Sequence, residues 1–147
     1  AGGTVFYDKG SYSDGWRYLE VDTPLRGYGL AWYNGSNIDI AGAYNAGVGT
    51  GKENTDAVIA DQGEGSYMAM DCRSFTKNGY ADWYMPSRDE VTQIITDFPG
   101  ILAGMYDFAS STQYDSGRNW AYFYSTSAWN TTFKYWTSSI TCPVRRF

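Results

Sequence analysis

The sequence of 147 residues predicts a single α+β domain with strands near both ends, helices in the middle and long ordered loops in the last third. Two short segments near the start have the alternation of half-buried strands. A helix with a complete start signal lies near the middle of the chain. Aromatic residues make up 18% of the chain and there are 17 glycines, which favours short strands and ordered loops over a helical bundle.

The first predicted elements are two strands, at residues 3–8 and 16–21, separated by turn residues that include Asp14 and Gly15. Their spacing indicates a hairpin. A closing strand is expected at residues 142–147, where Val144 is flanked by Pro143 and two arginines. We expect these terminal strands to be paired.

The first two predicted helices follow a loop at residues 38–49. Thr50 and Glu53 have the spacing of a capping box, in which each side chain accepts a hydrogen bond from the backbone N–H of the other residue. Gly63 is a typical helix end. A second helix is expected at about residues 66–75, with Cys72 on its inner face.

The third predicted helix has the strongest signal. Ser87 is a favourable N-cap, and Glu90 completes a capping box three residues later. Apolar residues then recur with helical spacing, which predicts one buried stripe. The stripe consists of Val91, Ile94, Ile95 and Phe98. The Pro-Gly pair at 99–100 ends the helix.

Composition excludes several classes of function. The chain has no histidine, which excludes Ser-His-acid and Cys-His catalysis and removes the commonest metal ligand. Its formal net charge of −5 argues against nucleic acid as a partner. It has no apolar run long enough to span a bilayer, so we expect no membrane insertion by this domain. The start without methionine is expected of a mature or excised piece.

The chain has two cysteines, Cys72 and Cys142, which are far apart and share no CxxC spacing. A structural disulfide in an exported protein is the favoured use. Two buried free thiols are the alternative.

Two further patterns were compared with known phosphate-binding and calcium-binding motifs, and neither matches, so no cofactor is expected. The glycine-rich segment at 46–53 resembles a phosphate-binding loop, but Ala46 stands where that motif needs glycine and Glu53 where it needs serine or threonine. Its glycines are better explained as loop and helix-start residues. The acidic residues show no EF-hand spacing, so no metal is expected and calcium remains an alternative.

The segment at 106–141 combines large aromatic residues with hydroxyl and amide residues and carries few charges. That combination is typical of binding surfaces, because rigid rings provide contact area and small polar groups provide adaptable hydrogen bonds. The predicted ligand-binding residues are Tyr114, Asp115, Arg118, Asn119, Trp120, Tyr122, Tyr124, Trp129, Asn130, Tyr135 and Trp136. The alternative is that these rings belong to the core.

Several motifs together resemble a bacterial family, the Lcl C-terminal-type domain. They are Gly-Gly-Thr-Val-Phe-Tyr at 2–7, Gly-Thr-Gly-Lys-Glu-Asn-Thr at 49–55, the segment from Gly-Tyr to Asp-Glu-Val at 79–91, Tyr-Trp at 135–136 and Val-Arg-Arg at 144–146. The chain departs from the family at Ala109, where the family has tryptophan, and lacks the first arginine of the family's ending.

The resemblance implies a C-type-lectin-like fold and a ligand-binding or adhesion domain of an exported or surface-displayed bacterial protein. The partner would be a protein or glycan on another cell or surface, bound without catalysis. Some relatives in this fold have a C-terminal variable region diversified by a retroelement that mutates adenines, and the last third is similar in composition. Two alternatives stay open: an oxidase of the formylglycine-generating type, and a structural cap of an oligomeric stalk.

Overall fold

The computed structural model describes residues 1–23, 25–101 and 106–147. Within these ranges the chain forms three α-helices and seven strands in two sheets, which confirms the α+β class. The elements are β1 (Thr4–Ser13), β2 (Trp16–Val21), α1 (Gly51–Gln62), α2 (Met68–Ser74), α3 (Arg88–Asp97), β3 (Asp107–Asp115), β4 (Arg118–Phe123), β5 (Ala128–Phe133), β6 (Ser139–Ile140) and β7 (Val144–Arg146). Short 3₁₀ helices lie at Ala41–Ala43 and Tyr124–Thr126.

The first sheet joins the two ends of the chain. Its strand order is β1-β2-β7, and both pairings are antiparallel. The predicted hairpin is confirmed, and so is the pairing of the terminal strands, because β2 lies between β1 and β7 and pairs with both. β1 continues to Ser13, further than predicted, through two register shifts. A Tyr84–Val144 bridge attaches the segment before α3 to the sheet.

The second sheet corrects the expectation of long loops in the last third. Its order is β5-β4-β3-β6, with only the β3–β6 pairing parallel. The hydroxyl-rich run in β3 is buried because its side chains find partners inside the protein. Ser110 donates to the carbonyl oxygen of Trp120 at 2.9 Å, and Thr112 donates to that of Asn45 at 3.0 Å.

The capping box of α3 is present as predicted. The Ser87 hydroxyl accepts from the Glu90 N–H at 3.3 Å, and the Glu90 carboxylate accepts from the Ser87 N–H at 2.7 Å. The box predicted for α1 is absent. The Thr50 hydroxyl instead donates to the carbonyl oxygen of Gly47 at 2.6 Å, and Glu53 forms an ion pair with Arg146 at 2.7 Å.

Two apolar clusters form the core. One contains residues from both sheets and α3, including Leu19, Ile94 and Phe108, and the other lies around α1 and α2. The predicted disulfide is wrong, because Cys72 and Cys142 are both free thiols. Each is fully buried, Cys142 in the first cluster and Cys72 in the second. Burial raises the pKa of both thiols.

Candidate ligand-binding surface

One face of the second sheet collects alternate side chains of β4 and β5. Directly opposite pairs are Arg118 with Phe133, Trp120 with Thr131, and Tyr122 with Trp129. Opposite residues in an antiparallel pair project from the same face, so these side chains are neighbours.

At one end of this face, aromatic rings and guanidinium groups are packed together and half-exposed. The rings of Tyr114 and Trp120 meet edge-on, with centroids 5.2 Å apart. Arg118 lies 4.7 Å from the Tyr114 ring, and Arg88 of α3 lies 5.4 Å from the Trp120 ring. The rings of Phe133 and Tyr135 stack at 5.2 Å. We call this set the ring-arginine surface; its members are Arg88, Tyr114, Arg118, Trp120, Phe133 and Tyr135.

Asp115 fixes the position of Arg118. One carboxylate oxygen accepts from Nε and Nη2 of Arg118 at 2.8 and 2.6 Å, and the other accepts from the Gly117 N–H at 2.9 Å. The guanidinium lowers the pKa of Asp115, which keeps the carboxylate ionised. An ion pair this exposed adds little stability, so its main effect is to orient the guanidinium over Tyr114.

A buried lysine supports the stacked rings from below. Lys134 lies between Phe133 and Tyr135 in sequence and is fully buried. Its ammonium donates to Gln113 Oε1 at 2.5 Å and to the Ile38 carbonyl oxygen at 3.1 Å, and it lies 4.7 Å from the Trp32 ring. Burial lowers its pKa to about 8. These contacts fix the backbone between the two exposed rings.

The structure brings only part of the predicted set together. The residues that lie in or beside the ring-arginine surface are Tyr114, Asp115, Arg118, Trp120 and Tyr135. Tyr124 and Trp136 are also exposed, at 43% and 47%, in the turns that precede and follow β5.

The other predicted residues lie elsewhere. Tyr122 and Trp129 form an edge-on pair that packs against the first core cluster, and the Trp129 indole donates to Thr92 of α3 at 3.1 Å. Asn119 is buried, at 1% exposure, so its side chain does not reach the surface. Asn130 is exposed but is opposite Ala121, on the other face of the sheet.

Sequence reasoning missed Arg88, Phe133 and Lys134. Arg88 has a local signal: it is a cation in the first turn of a helix, where the helix dipole is unfavourable for positive charge. Phe133 continues the period-two pattern of Trp129 and Thr131, which marks it as sharing their face. No local pattern identifies Lys134 as buried, because its partners come from distant parts of the chain.

The glycine-rich segment uses its N–H groups within the protein. The Gly49 N–H donates to Glu90 Oε1 at 2.9 Å, and Gly51 also donates to this carboxylate. A Cβ on Gly51 would lie 2.3 Å from Glu90 Oε2. The chain's own carboxylate therefore occupies the place that a phosphate takes at the start of a helix.

This segment also lines a groove of about 430 Å³, together with Trp16, Asn45 and Arg146. The Trp16 ring in this groove is already in contact with other groups of the protein and is not available for a ligand to stack on. The Lys9 ammonium lies 4.0 Å from its centroid, and a Cβ on Gly49 would lie 2.4 Å from the ring. The ring-arginine surface is therefore the stronger candidate.

No family model and no curated protein matches this chain. Within the described ranges, no three acidic or thiol side chains are grouped so that they could hold a metal ion. The helices in those ranges lack the length and apolar character needed to cross a bilayer.

Proposed function

We propose that the chain is a non-catalytic recognition or adhesion domain with a C-type-lectin-like fold, belonging to an exported or surface-displayed bacterial protein. It binds a protein or a glycan through the ring-arginine surface. The observation that supports this most is the position of Tyr114 and Trp120. Their rings pack together and stay partly exposed, while the residues of β4 that face the other way, Asn119 and Ala121, are buried.

This arrangement suits binding for two physical reasons. Rings fixed by their neighbours lose little conformational entropy when a ligand covers them, so more of the contact energy is retained as affinity. Arg118 and Arg88 offer planar hydrogen-bond donors beside those rings, and Asp115 fixes the orientation of the first. Rings next to oriented donors fit both sugars and polar protein surfaces.

Binding would be tested with a panel of glycans and intact cells presented to the purified protein. We expect Trp120→Ala to lower the affinity for any binder about tenfold or more, because a central aromatic contact is lost. The matched control is Tyr12→Ala, which removes a ring that is 70% exposed on β1 of the other sheet. Equal effects of the two substitutions on affinity would contradict the proposal.

We also propose that the surface is diversified by a retroelement. Arg118 and Trp120, which are partly exposed, alternate along β4 with the buried Asn119 and Ala121, so the exposed positions can change while the packed ones are kept. Sister copies from one genome are the test. Their differences should concentrate on exposed positions between 106 and 139, and an even spread over buried and exposed positions would contradict diversification.

The two alternative functions, an oxidase and a structural cap, require different structural features. An oxidase of the formylglycine-generating type needs an accessible thiolate, whereas Cys72 and Cys142 are buried with raised pKa values, which supports the non-catalytic proposal. A structural cap of a stalk would assemble as a stable trimer, which measurement of the mass in solution would reveal.

A further inference from the structure

The edge strands of the two sheets differ in how they are protected against pairing with another chain. β1 carries Asp8 and Lys9 and has two register shifts, and β7 carries Arg145 and Arg146. β6 is only two residues long. Charges, bulges and shortness are the usual protections of sheet edges. Three of the edges are therefore protected.

β5, the remaining edge, has none of these features. Its sequence, Ala-Trp-Asn-Thr-Thr-Phe, contains no charge and no proline and is rich in strand-forming residues. It pairs with β4 in unbroken register from Ala128 to Phe133. A regular, uncharged edge of this kind is suited to pair with another strand.

The backbone groups of Trp129, Thr131 and Phe133 point away from the sheet. The Thr131 N–H donates to its neighbour Asn130 Oδ1 at 2.8 Å, and the Phe133 carbonyl oxygen accepts from Trp136, not from β4. The Lys134 N–H donates to Gly117, on the β4 side. The backbone N–H and C=O groups of a strand alternate in direction from one residue to the next. Every second residue of β5 therefore has its backbone N–H and C=O directed away from β4, at the free edge of the sheet.

We propose that β5 pairs antiparallel with β5 of a second copy of the chain, about a twofold axis that passes between the two Thr131 residues. In this register Trp129 is opposite Phe133 of the other copy, and each Thr131 is opposite its equivalent. Aromatic pairs and Thr-Thr pairs are both favourable across antiparallel strands. The strand is thus complementary to itself, as an isologous interface requires.

The outward groups supply the hydrogen bonds of this interface. The two Thr131 residues exchange N–H···O bonds at the axis, and the Thr131 N–H exchanges its Asn130 partner for a backbone carbonyl oxygen. Trp129 and Phe133 of opposite copies form the next pairs. No charge on the strand opposes the contact, because β5 contains no Asp, Glu, Lys or Arg.

The dimer has a consequence for binding. A twofold axis perpendicular to the sheet keeps the same face of each copy on the same side. The two ring-arginine surfaces therefore lie on one side of a continuous sheet, where both can contact one target surface. Two linked sites bind such a surface more tightly than one site. The pairing itself is independent of ligand binding.

Sedimentation equilibrium of the purified chain over a wide concentration range tests the proposal. We expect a monomer–dimer equilibrium for the unaltered chain. Thr131→Lys and Thr131→Glu should each weaken the dimer about tenfold or more, because two like charges then face each other at the axis. An equal mixture of the two variants should dimerise again, because opposite charges then meet.

Ser11→Lys, which places the same charge on edge strand β1, is the matched control and should leave the equilibrium unchanged. Circular dichroism checks that each variant is folded. A monomer at every concentration would overturn the proposal. So would a dimer that Thr131→Lys does not weaken, or a mixture of the two charged variants that stays monomeric.

Discussion

Glu90 lies where the start of α3 meets the loop before α1. Its fully buried carboxylate accepts from the Ser87 N–H at 2.7 Å and from the Gly49 N–H at 2.9 Å, and the Tyr84 hydroxyl lies at 3.4 Å. It therefore ties the start of α3 to the loop before α1. Burial raises its pKa to about 7, although the surrounding donors favour the charged form.

The raised pKa of Glu90 predicts that stability falls as pH rises from about 4.5 to about 7. In this window the folded state holds a proton that the unfolded state has lost, so deprotonation favours unfolding. The expected decrease in the free energy of unfolding is at most about 3 kcal/mol. Urea unfolding at pH 4.5 and pH 7.5 would measure it.

Two variants distinguish the contribution of Glu90 to the pH dependence of stability from the contributions of other groups. Glu90→Gln does not titrate and should remove most of the pH dependence, at a cost in stability because an amide accepts fewer of these hydrogen bonds. Asp107→Asn is the control, since Asp107 also has a pKa raised by partial burial. A dependence that survives Glu90→Gln, or stability that rises across the window, would contradict this account.

The two thiols give a second prediction at the scale of single residues. Cys72 and Cys142 should not react with a thiol reagent in the folded protein, because both are buried and their raised pKa values leave almost no thiolate. After unfolding in denaturant without reductant, both should react. Rapid reaction in the folded state would indicate an accessible thiol, and no reaction after unfolding would indicate a disulfide.

At the scale of elements, a local sequence pattern predicts the structure correctly only where the side chains that it involves bind one another. The capping box of α3 closes within three residues, and the structure has it as predicted. The same pattern at Thr50 and Glu53 fails because both side chains have other partners: the Thr50 hydroxyl donates to Gly47, and Arg146, far away in sequence, pairs with Glu53. A capping pattern thus predicts a cap only when no other partner competes for its side chains.

The second sheet shows the same limit. Ser110 and Thr112 resemble loop residues because hydroxyl side chains are usually exposed. Here Ser110 reaches the neighbouring strand and Thr112 reaches Asn45, so the run is buried without unpaired hydroxyl groups. These partners are set by the topology, and no local pattern in β3 reveals them.

The contact between α1 and the start of α3 can be tested with Gly51→Ala. The added Cβ would lie 2.3 Å from Glu90 Oε2 and 2.7 Å from the Ser87 nitrogen, so the two helix starts would have to separate. We expect a loss of about 1–3 kcal/mol in the free energy of unfolding.

Gly47→Ala is the matched control, because it adds the same Cβ in the loop just before α1, where the nearest neighbour is a Thr50 methyl group at 3.8 Å. It should change stability little or raise it slightly, by reducing the entropy of the unfolded chain. A Gly51→Ala variant as stable as this control would contradict the close contact.

At the scale of the whole molecule, the first core cluster joins the two sheets. Leu19 of β2 and Phe108 of β3 both belong to it and are fully buried. We therefore expect one cooperative unfolding transition, with tryptophan fluorescence and far-ultraviolet circular dichroism changing together. Phe108→Ala should lower the stability of both sheets by about 3–5 kcal/mol. Separate transitions for the two probes would contradict a shared core.

The sequence predicts a binding surface in the last third of the chain, and five of its predicted residues lie in or beside the ring-arginine surface. Composition identified an unusual concentration of rings and hydroxyls, which is a property of the whole segment. Trp120 and Tyr122 lie on the same face of β4, so which ring stays exposed depends on what packs over that face. Tyr122 and Trp129 pack against the first core cluster, while Tyr114 and Trp120 stay partly exposed. Arg88 joins them only because α3 packs beside the sheet.

The most direct test of the central claim, that this surface binds the ligand, is hydroxyl-radical footprinting of the protein alone and with a binder from the glycan or cell panel. We expect bound ligand to protect Tyr114, Trp120 and Tyr135 from oxidation. Tyr12 and Tyr28, which are 70% and 67% exposed on other parts of the molecule, should be oxidised equally in both states. Protection of Tyr12 or Tyr28, with Tyr114 and Trp120 unchanged, would contradict it.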